Sequence, residues 1–266
     1  MAVDTHAHVF RRGLKLADTR RYAPDYDVEI EDYLRQLDAH AVTRGVLVQP
    51  SFLGTDNSFM LKALHQHPGR LRGIAMVAPD IAVPELRELA ANGVIGIRLN
   101  LVGLPLPDLR TEPWPALLRR VADQGWQVEV HRDARDLAGL VGPLLEAGVD
   151  VVVDHFGRPD PELGIGDPGF RYLLSVAASR RVWVKLSGAY RNGSGGRGEA
   201  IARAAMPLLR AAFSPERLLW GSDWPHTQFE GSITYASTVS QIEAWLPDPQ
   251  ERSIVLVNTP TKLFGF

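Results

Sequence analysis

The sequence predicts an α/β fold, a (β/α)8 TIM barrel built as a single domain over residues 1–266. Three observations predict it. Eight short runs rich in Val, Ile and Leu recur along the chain. The stretches between them carry helical spacing, and polar residues gather at the ends of most runs. A length of 266 residues suits one closed barrel, which needs ~250.

The first run, Val3–Phe10, holds Asp4-Thr-His6-Ala-His8, and strand alternation puts His6 and His8 on one face. Ile30, Tyr33, Leu34, Leu37 and Ala41 then follow a helical period and predict the first crossover helix. Gly45–Pro50 is the second strand, ending near Gln49, and Leu71–Ala78 is the third, with no polar group of note at its end. Val94–Leu101 is the fourth, where Arg98 and Asn100 share a face. After a helix marked by Trp114, Leu117, Leu118 and Val121, the fifth strand, Trp126–Arg132, aligns Glu129 with His131. Val149–Gly157 ends in Asp154-His155, and Phe170, Leu173, Leu174 and Ala177 mark the next helix. Val182–Gly188 carries Lys185 and Ser187, and Arg217–Asp223 closes the set on Ser222-Asp223.

Gly45, Gly93, Gly125 and Gly148 each stand between a helical stretch and a strand, where a left-handed residue ending the helix is expected. Pro143 and Pro207 fall inside helical patterns, where a lost amide and a ring clash predict a kink or a restart. Arg191–Arg197 is Gly-rich and predicts a mobile loop. No Gly-rich dinucleotide fingerprint follows the first strand, which favours a closed barrel over an open doubly wound sheet.

Composition narrows the function. Lys+Arg 29 against Asp+Glu 31 leaves a formal net charge of −2, so no global basic field exists to hold nucleic acid or an anionic membrane. With 45% hydrophobic and 23% charged residues the chain can bury a full core. No run approaches the ~18 apolar residues of a membrane span, and the N-terminus lacks a basic and apolar leader, which predicts a leaderless cytoplasmic protein. The absence of cysteine means that any metal must be held by His, Asp or Glu. The oligomeric state stays open.

His6 and His8 are spaced to chelate one divalent ion, and His131, His155 and Asp223 end other strands at the same mouth. Such an ordered set predicts one functional site. Asp223, ending an apolar strand, is the candidate general base, with His155, His6 and His8 beside it. Arg98, Arg158 and Arg191 follow strands four, six and seven, where guanidinium forks suit carboxylates and predict an anionic substrate. Gln49, Asn100 and His131 complete the candidate substrate-binding set. His40, His65 and His67 lie in helical stretches and read as surface or structural residues. Glu129 and Lys185 read either as mouth residues or as a paired lower layer of the barrel, and His226 either as a site residue or as support for its loop.

Several motifs stand together: Asp4-Thr-His-Ala-His-Val-Phe10, Gly54-Thr-Asp-Asn57, Gly96-Ile-Arg-Leu-Asn100, Val151-Val-Val-Asp-His-Phe-Gly-Arg-Pro159, Trp183-Val-Lys-Leu-Ser187, Trp220-Gly-Ser-Asp-Trp-Pro-His226, Asn258-Thr-Pro260 and Leu263-Phe-Gly265. Over nearly the whole chain this resembles the amidohydrolase superfamily, in the branch of 2-pyrone-4,6-dicarboxylate hydrolase and sugar lactonases. The resemblance implies a (β/α)8 barrel in which Asp223 deprotonates the water that attacks a lactone carbonyl. It implies that His6, His8 and His155 assist binding and carbonyl polarisation, and that Arg98 and Arg191 grip substrate carboxylates. Two positions depart from the pyrone hydrolase pattern: an arginine expected beyond strand four is Leu104, and a tyrosine expected at the end of strand five is His131. With that histidine, His6, His8, His131 and Asp223 match the superfamily's mononuclear metal set from strands one, five and eight, and three imidazoles with one carboxylate are a borderline-soft set suited to Zn or Mn. The resemblance therefore leaves metal-dependent and metal-independent working both open. It implies a hydrolase opening a small, carboxylate-bearing lactone, with a zinc-dependent decarboxylase or a lactone isomerase as alternatives and a catalytically dead binding barrel as the reading from another class.

Overall fold

The computed structural model describes residues 2–266 and contains eight parallel strands hydrogen-bonded in sequence order. They are β1 (Ala2–Ala7), β2 (Val42–Val48), β3 (Leu71–Ala75), β4 (Val94–Asn100), β5 (Gln127–His131), β6 (Asp150–Val153), β7 (Val182–Leu186) and β8 (Leu218–Trp220). Seven helices fill the crossovers: α1 (Ile30–Ala39), α2 (Ser58–Gln66), α3 (Val83–Ala91), α4 (Trp114–Asp123), α5 (Leu137–Glu146), α6 (Pro168–Ser175) and α7 (Arg197–Phe213). After β8 come α8 (Tyr235–Trp245), α9 (Pro249–Ser253) and α10 (Thr259–Phe264).

The periodicities explain the layering. Ile30, Tyr33 and Leu37 of α1, and Leu117, Leu118 and Val121 of α4, are the buried residues of their helices and join one large core between sheet and helices. A second core fills the barrel itself, where Val3, Val46, Val48, Ile74, Val152 and Leu219 pack together with Phe264 of α10.

The sheet closes by an irregular seam. Beyond the end of β8, the Asp223 amide donates to the His6 carbonyl at 2.8 Å and the His8 amide donates to the Trp224 carbonyl at 2.8 Å. Thr5 Oγ1 adds a bond to the Trp220 carbonyl at 2.8 Å. Barrel closure and the site thus share residues, so Asp223 is held by backbone bonds to the strand that carries the two histidines.

Four expectations are corrected. Gly45 does not end α1 but lies inside β2, and the left-handed residue at that joint is Ala41, with φ 55°. Gly93, Gly125 and Gly148 do have positive φ. Position 45 needs glycine for space: a Cβ there would meet Tyr33 Oη at 2.4 Å. Pro143 and Pro207 interrupt nothing, since α5 and α7 run through them. Arg191 sits in a 3-10 turn (Ala189–Asn192) and Arg197 opens α7, so only the glycine-rich link between them is without helix. Every strand stops before its expected end, most of all β1 at Ala7, β3 at Ala75, β6 at Val153 and β8 at Trp220, and the chain leaves β6 and β8 through residues with positive φ, His155 and Asp223.

Gly45→Ala forces Tyr33 off its seat against β2, and overpacking of this kind costs about 1–3 kcal/mol. Urea unfolding is expected to record that loss, and unchanged stability would show that α1 has room to shift.

Candidate active site

The site is built upward from a tier of buried charges. Lys185 Nζ, fully buried on β7, donates to Glu129 Oε2 of β5 at 2.7 Å and lies 3.5 Å from Asp154 Oδ1. Arg98 of β4 donates to Asp154 Oδ2 through Nη2 at 2.8 Å and through Nε at 3.1 Å. Glu129 and Lys185 therefore form the paired lower layer, and Asp154, at the end of β6, joins the lysine to the arginine. Burial alone would raise Asp154, yet the charges of Lys185 and Arg98 hold its carboxyl well below the usual carboxylate range. Glu129 is pushed upward, chiefly by burial.

These cations fix the imidazoles above them. An ammonium or guanidinium donates only, so a ring nitrogen facing one must accept. Lys185 Nζ faces His6 Nδ1 at 3.1 Å, and Arg98 Nη2 faces His131 Nδ1 at 3.1 Å. His6 Nδ1 also lies 3.4 Å from Asp154 Oδ1, but the closer ammonium can only donate to it, which assigns the hydrogen of both rings to Nε2; both Nε2 atoms are buried without a protein partner. His8 is the opposite case, because its Nδ1 bonds the Val48 carbonyl at 2.6 Å and must donate, leaving a lone pair on Nε2. His155 Nδ1 pairs with Ser187 Oγ at 2.9 Å. Burial, with the charge of Arg98, lowers His8 to about 4, and burial lowers His155 to about 3. His6 and His131 are also held well below 6.5 by burial, so all four rings are neutral at pH 7.

Asp223 lies at the centre of the mouth. Its Oδ2 accepts from Tyr190 Oη at 2.6 Å and from Arg191 Nε at 2.5 Å. Its Oδ1 has no hydrogen-bond partner and lies 3.8 Å from His6 Nε2 and 3.9 Å from His8 Nε2. Burial would raise this carboxyl, but the charge of Arg191 beside it holds it well below its ordinary value. The sharp turn that delivers it needs Asp223 at φ 60° and is anchored by Asp4, whose carboxylate accepts from the Ser222 amide at 2.8 Å and from Ser222 Oγ at 2.6 Å. Gly188 opens the space beside it. A Cβ there would meet His155 Nδ1 at 2.8 Å and Asp223 Oδ2 at 3.0 Å.

The other expected residues divide. Arg158 bonds Asp133 at 3.1 Å and, with Arg191, Asn192 and Arg135, lines a cavity of about 430 Å³ beside the mouth. Asn100 pairs in register with His131, and its Oδ1 is buried without a partner. Gln49 ties down its own loop through the Gly54 and Asp56 carbonyls, at 3.2 and 2.7 Å. The His226 amide bonds the Asp223 carbonyl, so its backbone supports the loop. His40 bonds the Gln36 carbonyl at the end of α1, as expected of a structural histidine. Tyr190 and Asp154 were not singled out as site residues by the sequence reading. Their signals were their places, one beside Arg191 and the other beside His155.

Three groups bring ligand atoms within 4.8 Å of one another and could hold a metal: His6, His155 and Asp223; His131, Asp154 and His155; His6, Glu129 and Asp154. Among the described residues His131 is grouped with Asp154 and His155, and His155 also belongs to the group of His6 and Asp223, its ring centre 4.8 Å from that of His131. The protonation pattern fits an ion poorly, because the Nε2 atoms of His6 and His131 carry hydrogen and Asp223 is already paired with Arg191.

The amidohydrolase family model matches residues 3–266. The chain belongs to the amidohydrolase family. Its fold is that of a crystal structure of a probable 2-pyrone-4,6-dicarboxylic acid hydrolase from Acinetobacter baumannii with citric acid bound, at 45% identity and a TM-score of 0.97, covering 100% of this chain and 99% of the other. A 2-pyrone-4,6-dicarboxylate hydrolase from Comamonas testosteroni is 32% identical over 99% of this chain and 90% of its own. A 4-sulfomuconolactone hydrolase from Rhizobium radiobacter is 32% identical, also over 99% and 90%. Among the described residues no helix is long and apolar enough to cross a membrane.

Neutral buried histidines have a consequence for stability. The folded values of His8 and His155, about 4 and about 3, lie below the ~6.5 of an exposed imidazole, so the unfolded chain takes up protons first as pH falls. Their contribution is complete above pH ~6.5 and is lost as pH falls toward the folded values. The unfolding free energy should stay level from pH 8 to 7 and drop on the order of several kcal/mol by pH ~4. A flat profile across that window would mean that these rings exchange protons freely in the folded barrel.

Proposed function

We propose that this amidohydrolase opens a small lactone carrying acidic groups, with Asp223 as the general base. The observation that carries the reading is the division of labour within one carboxylate: Oδ2 is anchored by Tyr190 and Arg191, while Oδ1 is free beside the donor Nε2–H of His6. Named relatives that hydrolyse lactones bearing carboxylate or sulfonate groups support the substrate class. So does the citric acid bound by the Acinetobacter relative.

In this mechanism a water stands between Asp223 Oδ1 and the lactone carbonyl carbon. Oδ1 takes its proton as the C–O bond forms, and the carbonyl oxygen gathers charge in the field of the His6 and His131 Nε2–H groups. Collapse of the tetrahedral intermediate breaks the ring C–O bond, and the proton on Asp223 passes to the departing oxygen, so one water is added. Neutral imidazoles suit this task, since they donate without a charge that would pair permanently with substrate. Arg191 has two roles in sequence. In the empty site it neutralises Asp223, and a substrate acid that draws it away leaves Asp223 more basic when the water is in place. No step requires a metal, in keeping with the protonation pattern of the rings.

Asp223→Asn should fold and still bind acids, yet lose several orders of magnitude in kcat, because the isosteric amide cannot take the proton. Near-normal turnover of lactones by that variant would remove Asp223 from the role of base. Arg191→Met should weaken acidic lactones by roughly 1.5–3 kcal/mol and weaken their methyl esters less. Equal losses for acid and ester would make the arginine purely structural.

A further inference from the structure

Arg21, in the segment between β1 and α1, belongs to no part of the mechanism above. Its side chain is partly covered but open to solvent, and among the described residues no carboxylate lies within salt-bridge distance of it. It is nevertheless held in place. Its Cδ passes so close to Gly103 that a Cβ there would meet it at 3.3 Å, and its guanidinium carbon stands 5.9 Å from the centre of the Tyr22 ring. The Gly103 turn is itself fixed, because Arg132 of the loop after β5 donates to the Leu104 carbonyl at 2.6 Å and also to the Leu101 carbonyl. Tyr22 Oη bonds Thr227 Oγ1 at 3.0 Å, and Thr227 lies within 3.5 Å of Arg191 Nη2.

These contacts place Arg21 across the rim from β7 and β8 and against the loop that follows β4. Partial burial lowers its pKa, and the charges of Arg98, Arg158 and Arg191 lower it further. Arg98 and Arg191 are each paired with a site carboxylate and Arg158 with Asp133. Arg21 is the cation of this group left without an acid partner, and it is kept close to like charges by packing rather than by attraction. An arrangement of that kind is favourable when a ligand brings the missing negative charge.

We propose that Arg21 determines specificity by gripping a second acidic group, carboxylate or sulfonate, on the substrate, at the opposite side of the mouth from Arg191. This rests on the reading of the protein as an acid-lactone hydrolase and assigns to Arg21 the second acid of a two-acid lactone such as the dicarboxylate named for its relative. With both held, the lactone carbonyl is fixed from two ends over Asp223. Loss of one charge-assisted contact corresponds to roughly tenfold in binding.

The test compares Arg21→Met, Arg21→Lys and the neighbouring Arg20→Met, whose guanidinium bonds only the Ala17 carbonyl. Two measurements are made on each: kcat/KM for a two-acid lactone relative to its one-acid analogue, and the Kd of citrate by calorimetry. Arg21→Met is expected to shrink the two-acid preference about tenfold through KM and to weaken citrate by a similar factor. Arg21→Lys should recover part of both, and Arg20→Met should change neither. An unchanged ratio with unchanged citrate binding in Arg21→Met would overturn the assignment, as would an equal effect of Arg20→Met. If the wild-type protein hydrolyses no lactone, the functional reading fails on its own, and the citrate measurement still decides the role of Arg21.

Discussion

Lys185 Nζ lies inside the barrel with no access to water, and an ammonium can stay there only if carboxylates and hydrogen-bond acceptors surround it. Glu129 and Asp154 meet that demand from β5 and β6, and His6 Nδ1 supplies the remaining acceptor. One buried charge thereby couples three strands on one side of the barrel to the strand that carries the H-x-H motif. Removing the ammonium would leave two carboxylates facing each other in a dry interior, a change that typically costs several kcal/mol. The same bond determines which nitrogen of His6 faces the mouth with hydrogen on it. Arg98 imposes the same state on His131 while holding Asp154.

The chemistry of the mouth follows from this tier. It presents N–H donors, guanidinium groups and one carboxylate with a free oxygen, an environment suited to an anion with a polarised carbonyl. A cation would have to displace Arg191 from Asp223 and reverse the state of His6, against a lysine 3.1 Å behind it. The chelating look of His-x-His is therefore changed by what lies beneath the rings, which spacing alone does not report.

The fold was legible because it rests on two periodicities, and so were the strand ends that form the mouth. His6 and Arg98 lie within β1 and β4, while His8, His155, Arg191 and Asp223 follow the ends of β1, β6, β7 and β8, on the side where the barrel rule looks for a site. What escaped the sequence depends on contacts distant along the chain. Gly45 looked like the end of a helix because nothing local announces that Tyr33 needs the space of a side chain inside β2. The pairing of Arg191 and Tyr190 with Asp223 needs the left-handed turn at Asp223 and the open position at Gly188, and neither is visible as a pattern. Asp154 stood beside a recognised histidine, and only the register of β4, β6 and β7 makes it the joint between two cations.

The claim on which the account depends is the protonation pattern of the imidazoles, and it can be read directly. Long-range 1H–15N correlation on protein labelled with 15N-histidine, at pH 7.5, with signals assigned by single His→Gln variants, reports which ring nitrogen carries hydrogen. The account predicts neutral rings throughout the mouth, with His6 and His131 protonated at Nε2 and His8 at Nδ1. Protonation of His6 and His131 at Nδ1, or charged rings at that pH, would contradict it and return the site to metal chemistry.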